Sequence, residues 1–130
     1  MSQPARRDPP TCREDLIRKA ATDGAAGFRS AFDWINERQE LLVARRGENR
    51  GLTAIEIRNL AEEWILAGND IKCVREQREP YKDDRHFHYD IIVKNLPDFP
   101  RGLYVEMDLE SCAEDNPSAR LLDAHPPTFY

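Results

Sequence analysis

A chain of 130 residues, 40% hydrophobic and 33% charged, holds enough apolar material for one domain with one core and too much to stay unfolded. Its net charge of -5 counts against binding nucleic acid through charge alone, because phosphate contacts need a basic surface. It has no apolar run of the ~20 residues that cross a bilayer, and MSQPARRDPP lacks the apolar core of a secretory signal, so a soluble, cytoplasmic protein without membrane contact is expected.

Residues 1–10, with three prolines, read as a disordered lead-in to a single α+β domain over residues 11–130. Thr11 and Glu14 form Thr-x-x-Glu, whose hydroxyl and carboxylate satisfy free backbone N–H groups at a helix start. Leu16, Ile17, Ala20 and Ala21 give this first helix an apolar side, and Gly24 suits its left-handed end. Phe28, Phe32, Ile35, Leu42 and Val43 recur at helical spacing and predict a second helix from Phe28 to Ala44, followed by a flexible basic loop at 45–51. Thr53 and Glu56 repeat the capping pattern ahead of a third helix, with Ile57, Leu60, Ala61, Trp64 and Ile65 on its apolar stripe and Gly68-Asn69 at its end. Both Trp34 and Trp64 read as core residues.

After Asn69 the period becomes two. Strands are predicted over Ile71 to Arg78, His86 to Lys94, Leu103 to Leu109 and Ala119 to Ala124, with a polar turn at Tyr81 to Arg85 and a loop marked by Pro97 and Pro100. The expected fold class is α+β: three N-terminal helices packed on a four-stranded antiparallel meander. Cys12, Cys73 and Cys112, odd in number and without a Cys-x-x-Cys pair, read as reduced thiols.

Strand alternation concentrates the chemistry. If Phe87, Tyr89, Ile91, Val93 and Leu103, Val105, Met107, Leu109 turn inward, the opposite face carries His86, His88, Asp90 and Lys94 beside Tyr104, Glu106 and Asp108. One reading is metal-independent RNA cleavage, which needs a base for the ribose 2′-hydroxyl, an acid for the leaving oxygen and cations for the charged phosphorane. His86, His88, Glu106 and His125 are the candidate acid–base residues, Arg75, Arg78, Arg85 and Lys94 the phosphate clamp, and no cofactor is required. A second reading is a metal-dependent nuclease, with His86, His88, Asp90, Glu106 and Asp108 as ligands for manganese or magnesium. His86, His88 and Asp90 span about 13 Å on a straight strand, so all three cannot hold one ion. A third is a non-enzymatic acidic binder, such as an immunity protein, an inhibitor or a phage-encoded interaction factor, whose Asp98, Glu106, Asp108, Glu110, Glu114 and Asp115 dock a basic partner.

The Leu-Thr-x-x-x-Ile-Arg helix at Leu52 to Arg58, the strands Phe87-His88-Tyr89 and Gly102-Leu103-Tyr104-Val105, and a last strand ending at His125 resemble the RelE- and BrnT-like toxins of bacterial toxin–antitoxin pairs. The resemblance covers roughly residues 50–126 and is architectural. It implies the barnase- and colicin-like ribonuclease fold, a sheet face that cleaves RNA, often on the ribosome, and a partner protein that neutralises it.

Overall fold

The period-two hydrophobic pattern of the last third dictates a sheet, and the computed structural model, which describes residues 8–36, 39–40 and 51–127, contains one. Its strands are β1 (Phe32–Trp34), β2 (Lys72–Arg75), β3 (Phe87–Val93), β4 (Leu103–Ser111) and β5 (Ser118–His125). They lie in the order β1-β5-β4-β3-β2. Three pairs are antiparallel, and β1 runs parallel to β5 with Phe32 opposite Ala119 and Trp34 opposite Leu121. Two α-helices have full bounds among the described residues, α1 (Glu14–Ala25) and α2 (Ala54–Leu66).

The expected three helices on a four-stranded meander are therefore corrected to two helices and a five-stranded mixed sheet. The error lies at residues 28–36. Phe28, Phe32 and Ile35 recur at helical spacing, yet the chain makes a 3-10 turn at Arg29–Ala31 and then the strand β1. Phe32 and Trp34 alternate with Asp33, and both aromatic rings are buried while Phe28 is 69% exposed. Three residues are too few to show a period, and burial against β5 decides their conformation. Helical geometry resumes at Gln39 and Glu40, where Asn36 caps the turn by accepting from the Gln39 N–H at 2.8 Å. The remainder of the expected second helix and most of the basic loop lie outside the described residues.

Helix α1 also begins differently. Its first cap is Arg13, which makes no side-chain capping bond, so the Thr11–Glu14 box is not formed. The cause is tertiary: Cys12 is disulfide-bonded to Cys73 of β2, and the Arg13 N–H donates to the Tyr89 hydroxyl at 3.0 Å. The expectation that all three cysteines are reduced is corrected accordingly, and Cys112 is the cysteine outside the disulfide. Gly24 stays inside the helix, where an added Cβ would lie 2.9 Å from Phe32 Cβ, and Gly27 adopts the left-handed conformation instead. Helix α2 forms as expected, with both bonds of the Thr53–Glu56 box present.

The helices pack on one face of the sheet, α1 against β1 and β5 and α2 against β1 and β3. Between them lies the core: Phe87, Tyr89, Ile91 and Val93 of β3, Leu103, Val105, Met107 and Leu109 of β4, and Ala119, Leu121 and Ala124 of β5, all buried. The inward assignment of the eight β3 and β4 residues holds. Burial pushes the Tyr89 phenol up to about 12. Asp8, within the expected lead-in, is itself buried, its carboxylate accepting from the His86 and Phe87 N–H groups at 2.6 and 2.9 Å where β3 begins. No helix among the described residues is long and apolar enough to cross a membrane.

Candidate metal centre on the open sheet face

Pleating sends the alternate residues of β3 and β4 to the face that α1 and α2 leave uncovered. Asp90 stands directly opposite Glu106, and Ile92 opposite Tyr104. His88, two residues before Asp90, shares its side. As a result His88 Nδ1 lies 2.8 Å from Asp90 Oδ1 and 3.6 Å from Glu106 Oε1. The Tyr104 hydroxyl lies 2.9 Å from each of the same two carboxylate oxygens. One nitrogen and two oxygens from His88, Asp90 and Glu106 thus gather within 4.8 Å of one another. The 13 Å obstacle to a metal site disappears because β3 supplies only two neighbours and β4 supplies the third.

Around this trio the polar side chains bury one another. Arg78 donates to Glu76 and, at 2.9 Å, to Glu106. Arg85 donates to Glu76 and Asp108, and Arg120 takes the Asp108 carboxylate from the other side with two bonds of 2.8–2.9 Å. Glu76, Arg85, His88, Glu106 and Asp108 are all buried. Burial alone would raise the Glu76 carboxyl, but hydrogen bonds from Arg78 and Arg85 hold it down to about 2. Burial, then the negative charges of Glu106 and Asp90, pushes the Tyr104 phenol well above its ordinary value and keeps it a hydroxyl.

The charge balance of this lattice is uneven. Glu76, Glu106 and Asp108 each meet a guanidinium of Arg78, Arg85 or Arg120, whereas Asp90 meets the His88 ring and the Tyr104 hydroxyl and, among the described residues, no guanidinium. Hydrogens are short at the same place. Tyr104 has one hydroxyl hydrogen and two carboxylate acceptors at 2.9 Å, so one oxygen–oxygen contact lacks a proton between its partners. A cation among His88, Asp90 and Glu106 would meet three ligand atoms already turned toward one another. Ligand atoms around a divalent ion sit roughly 3.0 Å apart when adjacent and about 4.2 Å apart when opposite, for bonds near 2.1 Å. The observed spacing needs only a small contraction to reach those values.

Of the residues singled out in sequence, the structure brings together His88, Asp90 and Glu106 and sets His125 beside them, its ring centroid 4.9 Å from that of Tyr104. His125 is the last residue of β5, opposite Tyr104 of β4 and beyond the Ala119–Leu121 stretch that pairs with β1. Asp108 belongs to the arginines. His86 stays apart, in a shallow depression shared with Arg75, Glu76 and Lys82, and the Arg75 guanidinium lies over the Phe87 ring at 5.1 Å. Of the four proposed phosphate-clamp residues, Arg85 is buried in ion pairs, Arg78 is half exposed beside Glu106, and Lys94 rims a cleft that also contains Tyr104. The acidic docking surface loses Glu106 and Asp108 to burial, while Glu110 pairs with Arg120 and Glu114 with Arg13. Sequence reasoning missed Glu76 and Arg120; the second sits opposite Asp108 on β5, visible only once the β4–β5 register is known.

Comparison with protein-family models, with curated proteins and with solved structures finds no match to this chain. The site's own chemistry therefore carries the functional argument.

Proposed function

We propose that the open face of the sheet binds a divalent cation and uses it to hydrolyse phosphodiesters. The observation that carries this reading is the crowding of one imidazole nitrogen and two carboxylate oxygens within 4.8 Å, with a single Tyr104 hydroxyl hydrogen between two of those oxygens. A mixed nitrogen and oxygen set suits manganese, which accepts both, and imidazole raises the affinity above that of carboxylates alone. His88, Asp90 and Glu106 would hold the ion, which would supply Lewis acidity toward a phosphoryl oxygen and acidify a water nucleophile. Tyr104, kept protonated, donates to the carboxylate ligands and so orients them, and the half-exposed Arg78, 2.9 Å from Glu106, is a cation for the charge that builds on the phosphoryl group.

A second reading is metal-independent cleavage of RNA by its own 2′-hydroxyl, in the manner that the likeness to RelE- and BrnT-like toxins implies, with a neutralising partner protein. The placement of His125 against Tyr104, with His88 and Glu106 on the other side of the phenol, favours it by setting two imidazoles and a carboxylate around one point.

One experiment separates the two. Purified protein is incubated with a single-stranded RNA after EDTA treatment, with and without added Mn2+, and Mn2+ binding is followed by titration calorimetry. The metal reading expects cutting only with Mn2+, one bound ion per chain, and loss of both in Asp90→Asn. Cutting that survives EDTA and Asp90→Asn but not His125→Ala establishes the second reading. No Mn2+ binding and no cutting under either condition refutes both.

A further inference from the structure

Asp90, one of the metal trio, lines a cleft of about 660 Å³, a volume within the range of small-molecule sites. Asp90 and Tyr104 belong to the trio's cluster and to the cleft wall alike. The cleft follows β3 outward from Asp90 to Lys94 and is lined by Trp64, Asn69 and Asp70 at the end of α2. It exists because β2 starts at Lys72, opposite Asp90, which leaves the next residues of β3 without a strand on that side.

Two features of its lining point to a ligand. Lys72 and Lys94 are exposed and have no ion-pair partner among the described residues, although almost every other cation of this face is committed to a carboxylate. Lys72 sits across from Asp90, and Lys94 lies four residues along the same strand, about 13 Å at the usual rise. The second feature is Trp64. Trp34 is a core tryptophan, 8% exposed, with its indole N–H donating to the Ala54 carbonyl at 2.9 Å. Trp64 is half-buried, lines the cleft, and its indole N–H has no hydrogen-bond acceptor among the described residues. An aromatic ring and two unpaired ammonium groups lining one cleft are the elements by which single-stranded nucleic acids are held, bases on the ring and phosphates on the cations. Against the two lysines stands one carboxylate outside the metal cluster, Asp70.

We infer that this cleft binds a nucleotide unit, its base against Trp64 and its phosphate between Lys72, Lys94 and the cation at Asp90. The inference rests on the proposed cation site and supplies its substrate class. It also gives Trp64 a part beyond the core packing that its helical position predicted.

The probes are uridine 5′-monophosphate, adenosine 5′-monophosphate, inorganic phosphate and a five-residue single-stranded RNA, each titrated in Mn2+ by calorimetry, with the Trp64 indole N–H followed by NMR. Binding of the monophosphates is expected to shift that resonance. Lys72→Ala/Lys94→Ala should weaken binding tenfold or more and Trp64→Leu about 5- to 100-fold, with Mn2+ affinity unchanged in all variants. Tighter binding of the oligomer than of the monophosphates identifies a strand as substrate, and equal binding a free nucleotide; either supports the cleft assignment. Inorganic phosphate binding as tightly as the monophosphates overturns it, as does wild-type affinity in the lysine double variant. Failure of the monophosphates to bind while Mn2+ still binds overturns this inference and leaves the cation site standing. Monophosphate binding without any Mn2+ binding removes the cation site and leaves the cleft. Because Lys72 and Lys94 are exposed, unchanged circular dichroism and melting in the double variant confirm that it remains folded.

Discussion

The two faces of the sheet are made by the same strands and held by opposite physics. On the helical face, Val105, Met107 and Leu109 alternate with neighbours that point away, and their stability comes from apolar area removed from water, at roughly 25 cal/mol per Å². On the other face, Glu106 and Asp108 are equally buried, but by arginine and tyrosine side chains lying against one another. Buried ion pairs contribute little net stability, because desolvation consumes most of what attraction supplies. An apolar lattice would fold this sheet as well.

That contrast fails if substitutions on the two faces behave alike. The largest effect is expected from Arg85→Ala, which leaves Glu76 and Asp108 buried without a common partner and should cost about 3–5 kcal/mol in urea unfolding. A loss near zero would mean that the carboxylates reach water, and the lattice would then be an ordinary solvated surface. Leu103→Ala on the helical face should cost about 2–5 kcal/mol by cavity formation, with Mn2+ affinity retained in the folded fraction. Asp90→Asn is expected to do the reverse. It removes a carboxylate that no guanidinium meets among the described residues and adds hydrogens where Tyr104 supplies one for two acceptors, so the metal-free protein should gain about 1 kcal/mol while Mn2+ binding is lost. A destabilised variant that still binds Mn2+ would contradict the proposed division of labour.

A pH dependence tests the ionic face by itself. Glu76 is held at about 2 in the folded protein against 4.5 for the free side chain, so the folded state binds fewer protons. Its contribution is present in full above pH 4.5 and is lost as the pH falls toward 2. Melting temperatures measured between pH 6 and 2.5 should drop less steeply in Glu76→Gln than in the parent, and parallel curves would rule Glu76 out as the acid-sensitive group.

How far these faces were readable in the sequence depends on the length over which a pattern repeats. Strands β3 and β4 alternate for seven and nine residues, long enough for the period to fix which side chains share a face. The neighbourhood of His88, Asp90 and Glu106 followed from that. Strand β1 has three residues, and its pairing with β5 joins segments more than eighty positions apart, which no local pattern encodes. The same limit hid the Cys12–Cys73 bond: an odd cysteine count and a spacing of 61 give no hint of which two thiols meet. Assigning Asp108 to metal was reasonable from alternation alone and was overturned by Arg85 and Arg120, which arrive from a loop and from another strand.

The bond between Cys12 and Cys73 closes a ring that encloses α1, β1 and α2, and a ring of that size restricts the unfolded chain by an amount worth about 3–4 kcal/mol. Beside it, Asp8 secures the first amides of β3, the strand that carries His88 and Asp90. Adding dithiothreitol thus loosens a fastening one strand away from the chemistry. Preparations made with and without reductant should be treated as two distinct samples, each assayed separately for melting, Mn2+ uptake and RNA turnover.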